Sequence, residues 1–235
     1  MKNQILNSIV FALAVLTFTS CGKDREAIKA AISDQQLADL VESALQEEMA
    51  GLTEQVATMV DIAQQNVVAQ CGLTKDTTIV SENETLIGSA SYTTDYTWTL
   101  ECENDVTPLN YDFVCHTEGS YSNNRMNSND SGDANWKLSG LNENVNEFLA
   151  NGVYSRNGEQ TFKSDGTYTE SKMDMTVTNL AIDKASEEIT GGIAQVNASG
   201  KTDSGESFTF DGEITFKGNG KATLTVNGKT FNLKL

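Results

Sequence analysis

The chain has 235 residues, with 33 acidic side chains against 16 basic ones and a formal net charge of −17. A surface this acidic repels phosphate backbones and anionic headgroups, which argues against a nucleic-acid partner and against direct electrostatic binding to a membrane. One proline and 18 glycines exclude a proline-rich stalk or a collagen-like chain.

Lys2 gives a short positive start, and residues 5–18 form the only long apolar run, interrupted by Asn7, Ser8 and Thr17. This is the pattern of a signal peptide, too short for a comfortable transmembrane helix. The run ends in Phe18-Thr19-Ser20-Cys21, without the small-residue pattern of an ordinary cleavage site. It resembles the lipobox of bacterial lipoproteins, with Phe18 where Leu is usual. The resemblance implies a diacylglyceryl group on the Cys21 thiol, cleavage before Cys21 and acylation of the new amine. Several acyl chains at about 0.8 kcal/mol per buried methylene make a durable anchor where one chain is marginal. Losing residues 1–20 removes one positive charge, Lys2, and takes the net charge from −17 to −18. Lys23-Asp24-Arg25-Glu26 resembles the surface-export signals of Bacteroidota lipoproteins, although those are more acidic. The implied location is an outer membrane, lipid-anchored, on the periplasmic or cell-surface side.

Residues 21–75 read as a lipidated N-terminus followed by helix. Leu37, Val41, Leu45 and Met49 recur every fourth residue, with Leu40 and Leu52 widening the stripe. Val56, Met59, Val60, Ala63, Val67 and Cys71 form a second run. Both put one apolar stripe on a helical face. Ser33 with Gln36 three residues on predicts a capping box. Gly51 either kinks one helix or separates two, and Gly72 sits where a C-terminal glycine cap belongs. The period is 3.6 and not a strict heptad, so the stripe is expected on the protein's own sheet and not in a coiled coil.

From residue 76 to 235 the texture is short alternating runs rich in Thr, Ser, Asn and Gly, which predicts consecutive antiparallel strands. Tyr96, Trp98, Leu100 and Cys102 alternate, as do Tyr111, Phe113 and Cys115, around Pro108. A turn there sets Cys102 opposite Cys115, Trp98 opposite Gly119 and Tyr96 opposite Tyr121. That register predicts a Cys102–Cys115 disulfide with Cys71 left over; the rival pairing joins Cys71 to either partner and ties helix to sheet. Asn157-Gly158 and Asp165-Gly166 read as turns, and Gly152 as a bulge inside the strand from Phe148 to Arg156. Asn227-Gly228 predicts a two-residue hairpin pairing Val226 with Lys229, Leu224 with Phe231 and Ala222 with Leu233. A three-residue loop at Gly218-Asn219-Gly220 keeps Phe216 and Ala222 on one face. About ten strands result, too many for one flat sheet. The expected fold is α+β, mainly β: an antiparallel meander forming a curled sheet, barrel or sandwich, with one or two helices packed on it. The residues from Gly212 to Thr223, with Val226 to Phe231, resemble the ending of uncharacterised Bacteroidota lipoproteins, a likeness that implies no activity.

No active-site motif stands out. His116 is the single histidine, and its strand position beside Cys115 reads as solvated, with no G-x-S-x-G or H-E-x-x-H near it. Residues 127–133 resemble the start of a calcium loop, but Leu138 occupies the twelfth place where a bidentate acid belongs, so a polar hairpin tip is expected. Gly200-Lys201-Thr202 reads as a turn and not a phosphate loop. Glu101, Glu103 and Asp105 do not specify a glycosidase without a cleft between them. Asp76-Thr77-Thr78 resembles the O-glycosylation sequon of Bacteroidota. The expectation is a non-catalytic lipoprotein, without cofactor or metal, meeting a membrane through its lipid and an envelope protein or glycan through its sheet. A carrier of a lipid or other hydrophobic ligand in a curled-sheet cavity is the alternative, and a glycan-acting enzyme the third reading.

Overall fold

The computed structural model describes residues 31–65, 70–86 and 88–235; Cys21, the run from Lys23 to Glu26, and Val67 lie outside the described residues. Helix α1 spans Asp34–Leu45. Ser33 caps it as the capping box requires, accepting from the Gln36 backbone N–H at 3.2 Å while Gln36 Oε1 accepts from the Ser33 N–H at 2.8 Å. A 3₁₀ turn, Glu47–Met49, ends on Ala50 in the left-handed conformation, and α2 runs Leu52–Gln65. Gly51 therefore separates two helices.

Ten strands follow: β1 Thr74–Thr85, β2 Gly88–Glu103, β3 Thr107–Ser122, β4 Met126–Ser139, β5 Glu147–Phe162, β6 Tyr168–Asp183, β7 Ile189–Thr202, β8 Ser207–Gly218, β9 Lys221–Val226 and β10 Lys229–Lys234. They form one antiparallel sheet in chain order, and no ladder joins β1 to β10 among the described residues. Both C-terminal hairpins have the expected register, with Leu224 opposite Phe231 and Phe216 opposite Ala222.

The sheet curls around the helices. On a flat sheet β4 and β10 would lie six strand spacings apart, about 29 Å at about 4.8 Å each. Yet the single Glu42 carboxylate accepts from Arg125 Nη1 in the β3–β4 turn at 2.6 Å and from the Lys234 backbone N–H in β10 at 3.4 Å. Asp34 likewise reaches Asn227 and Lys229 at the β9–β10 turn, while Gln36 reaches Asp165 at the β5–β6 turn. Only a rolled sheet brings these turns to one helix. Ten consecutive residues of α1, Gln36 to Leu45, are buried, so α1 runs through the interior.

Close packing along one inward-facing row fits this curl. Tyr92, Gly119, Asp130, Gly158, Ser171, Gly200 and Phe208 are successive cross-strand partners. A Cβ on Gly119 would sit 2.3 Å from the Tyr92 ring, and one on Gly200 would sit 2.4 Å from the Phe208 ring. The missing side chains let aromatic neighbours lie over bare backbone, a device that permits a tight bend.

The cysteine pairing differs from the expected one. The β2–β3 hairpin turns at Asn104 and Asp105, both with positive φ, and not at Pro108. Asn and Asp tolerate that conformation, and Pro108 sits at the start of β3 instead. The turn moves Cys115 opposite Tyr96 and Cys102 opposite Pro108. Cys102 and Cys115 are thus six residues apart along the ladder, about 20 Å, and cannot bond. Cys71 and Cys102, with Cα atoms 5.7 Å apart, form the disulfide, and Cys115 is a buried free thiol. The rival pairing that ties helix to sheet is the correct one. The aromatic over Gly119 is accordingly Tyr92 and not Trp98.

Candidate functional site on the outer sheet face

The interior is held by a charged group that the sequence reading did not single out. Arg156 on β5 and Asp130 on β4 form an ion pair at 2.8 Å, with side chains 9% and 2% exposed. Arg156 also donates to the Ser43 carbonyl at 3.1 Å, the Met49 carbonyl at 3.1 Å and the Tyr92 hydroxyl at 2.7 Å. It thereby ties the end of α1 and the following turn to the sheet. Burial works against the guanidinium's charge, but the Asp130 carboxylate and three tyrosines hold its pKa well above the ordinary value. Burial also pushes the Tyr121 hydroxyl up to about 12. Gln55 adds a second tie, donating to Thr117 Oγ1 at 3.3 Å and accepting from Trp136 Nε1 at 3.2 Å. The void beside Arg156 measures about 10 Å³, and Trp98, Met173, Met175 and Phe210 are buried core.

Reading frame hid this network. Residues 127–133 form the first half of β4, not a hairpin tip, and Asn157-Gly158 lies within β5, not at a turn. Asn, Asp and Gly content favours loops at both places. The available signal was parity: Arg156 shares the inward face with Tyr154 and Phe162, and Asp130 with Ala134, Trp136 and Leu138.

The other singled-out residues are dispersed. His116 is on the outer face, 2.8 Å from Asp133 and 3.3 Å from Glu118, with its side chain 47% exposed. Those two hydrogen bonds, Asp133 first, raise its pKa. Gly200, Lys201 and Thr202 close strand β7. Glu101 and Glu103 are exposed at the end of β2, beside the turn that holds Asp105. Among the described residues no group of His, Cys, Asp and Glu is arranged to hold a metal ion, and no helix is long and apolar enough to cross a membrane.

A shallow, wide-open groove of about 770 Å³ crosses the outside of β3 to β7. Its floor is the backbone of the glycine-rich row, whose side chains point inward. One wall is the outward row Glu118, Ser131, Asn157, Lys172 and Ser199; the other is Asn129, Glu159, Glu170 and Lys201. Glu159 stands directly opposite Glu170, an arrangement that costs stability in a sheet. A smaller depression of about 200 Å³ adjoins at Asn129 and Glu159 and brings in Tyr168. A third, about 230 Å³, opens at the far end of the curl between Leu100, Tyr111, Leu141 and Phe148, with Lys184 stacked 4.8 Å over the Phe148 ring.

No family model, curated protein or solved structure matches the chain.

Proposed function

We propose that this protein is an exported, lipid-anchored, non-catalytic binding module that presents the outer groove to an envelope component. The observation that carries the reading is the division of polar groups between the two faces. Arg156 and Asp130 inside, and the part-buried Arg125 at the β3–β4 turn, tie helix to sheet. Outside, amide, hydroxyl, carboxylate and ammonium groups line a broad groove with no such duty. The opposed Glu159 and Glu170 support this, because the fold itself gains nothing from that pair. The lipobox at Cys21 supplies the anchor.

The carrier reading draws on the apolar depression at Leu100 and Phe148. At about 230 Å³ it falls below the range of about 300–1,000 Å³ usual for small-molecule sites, and α1 occupies the volume that a lipocalin-like cavity would need.

Two measurements test the proposal. Cys21→Ser should release the chain from membranes; continued membrane partition would reject the anchor. Sedimentation of the purified Cys21→Ser protein, which lacks the acyl anchor, with isolated envelope should fall when Asn157→Trp fills the groove while thermal stability holds. Unchanged sedimentation would reject the groove.

A further inference from the structure

Among the described residues the sheet has two unpaired edges, and the chain treats them differently. β10 is short, and the Lys234 N–H is taken by Glu42 of α1. β1 is twelve residues long and, among the described residues, pairs with β2 alone. Its outward side chains are exposed and its inward ones only half-buried up to Ser81, beyond which both faces are exposed. The helical layer touches β1 through side chains, Ser81 Oγ donating to Glu54 and Asn83 Nδ2 to the Glu48 carbonyl, which leaves the strand's backbone edge unladdered.

The ground around that edge is acidic. Glu82 and Glu84 lie on β1, and Asn83 brings the exposed Glu47 and Glu48 of the 3₁₀ turn alongside. None of these four carboxylates is in a salt bridge among the described residues. Glu54 Oε2 is buried with no hydrogen-bond partner. Charges on an edge ordinarily block unwanted pairing, and here they block one partner specifically. A second copy would pair antiparallel about an axis normal to the sheet, with same-face residues opposed. Centring that pair on Ile79 sets Asp76 against Glu82; centring it on Val80 sets Asp76 against Glu84. Two chains of net charge −17 repel further.

We propose that β1, from Asp76 to Glu84, accepts an extended segment of a partner protein as an eleventh strand, and that the segment is rich in lysine or arginine. Backbone hydrogen bonding along the edge supplies affinity, and the unneutralised carboxylates select the charge. This surface is separate from the outer groove and stands or falls without it.

The test uses the full-length chain in detergent and the nonapeptide Lys-Val-Lys-Thr-Lys-Val-Lys-Thr-Lys. Two control peptides replace every Lys with Glu or N-methylate alternate amides. Amide hydrogen exchange should show new protection in residues 76–84 with the basic peptide and none with the acidic one. N-methylation keeps the charge but removes strand donors, and should weaken binding by about tenfold or more. Glu82→Lys with Glu84→Lys, exposed changes that leave the core intact, should abolish binding. The proposal is overturned by protection elsewhere than 76–84, by equal binding of the N-methylated peptide, or by no binding. Concentration-dependent protection of β1 without peptide would overturn it in favour of a second copy.

Discussion

Replacing Arg156 with Met tests the interior directly. The substitution keeps a long side chain that can fill most of the volume, but it takes the counter-charge from the Asp130 carboxylate at 2% exposure, leaving it the Tyr92 and Ser128 hydroxyls as donors. It also strips the Ser43 and Met49 carbonyls of their donor. Removing one partner of a buried ion pair costs about 3–5 kcal/mol, and each buried carbonyl left bare adds about 1 kcal/mol or more. Against a typical total stability of about 5–15 kcal/mol, Arg156→Met should lower unfolding free energy by about 5–7 kcal/mol. The assay is equilibrium urea denaturation followed by the fluorescence of Trp98 and Trp136, both buried. Adding Asp130→Asn removes the stranded charge and should recover a substantial part of the loss. A cost below about 1 kcal/mol, the scale of an exposed pair, would refute the claim that this pair ties helix to sheet.

Cys71→Ala should cost about 3–4 kcal/mol on the chain-entropy account of a link spanning 31 residues, measured in the same denaturation; Cys115→Ala should leave the disulfide count unchanged by mass spectrometry. Burial pushes the Cys115 thiol up to about 12, so native protein should resist iodoacetamide until unfolded. For His116 the folded pKa is raised by Asp133 and Glu118; its contribution is therefore complete below the ordinary histidine value of about 6.5 and is lost as pH rises through the folded value. An NMR titration of the His116 ring should place the midpoint above the ordinary value and show it falling in Asp133→Asn. Gly200→Ala drives a Cβ to 2.4 Å from Phe208 and 2.5 Å from the Glu170 carbonyl, and should destabilise by about 1–3 kcal/mol. Gly166→Ala has open space and serves as the control, costing only the strain of its positive φ.

What could be read from the residues was local. The Ser33 cap and the Asn227-Gly228 hairpin depend on neighbours a few positions apart, and both appear as expected. The disulfide required the position of one turn, and Pro108 outweighed the correct signal at Asn104-Asp105. An error of a few residues there moved Cys115 about 20 Å. Polar residues facing inward defeated the same method. Asp130, Gly132 and the Asn157-Gly158 pair look like loop chemistry until the strand parity of Trp136 or Tyr154 is carried through them. The groove was invisible for a related reason. Its walls come from five strands placed by curl, and curl is set by contacts such as Glu42 to Lys234 that join residues 192 positions apart.

The rolled sheet encloses its own helix, and the binding surface proposed for it is the outer face. Native mass spectrometry of the protein purified from its own membranes tests that most directly. The predicted mass is the chain beginning at Cys21 plus its acyl groups, with no other molecule retained under gentle ionisation. A stoichiometric apolar ligand that survives transfer would contradict it.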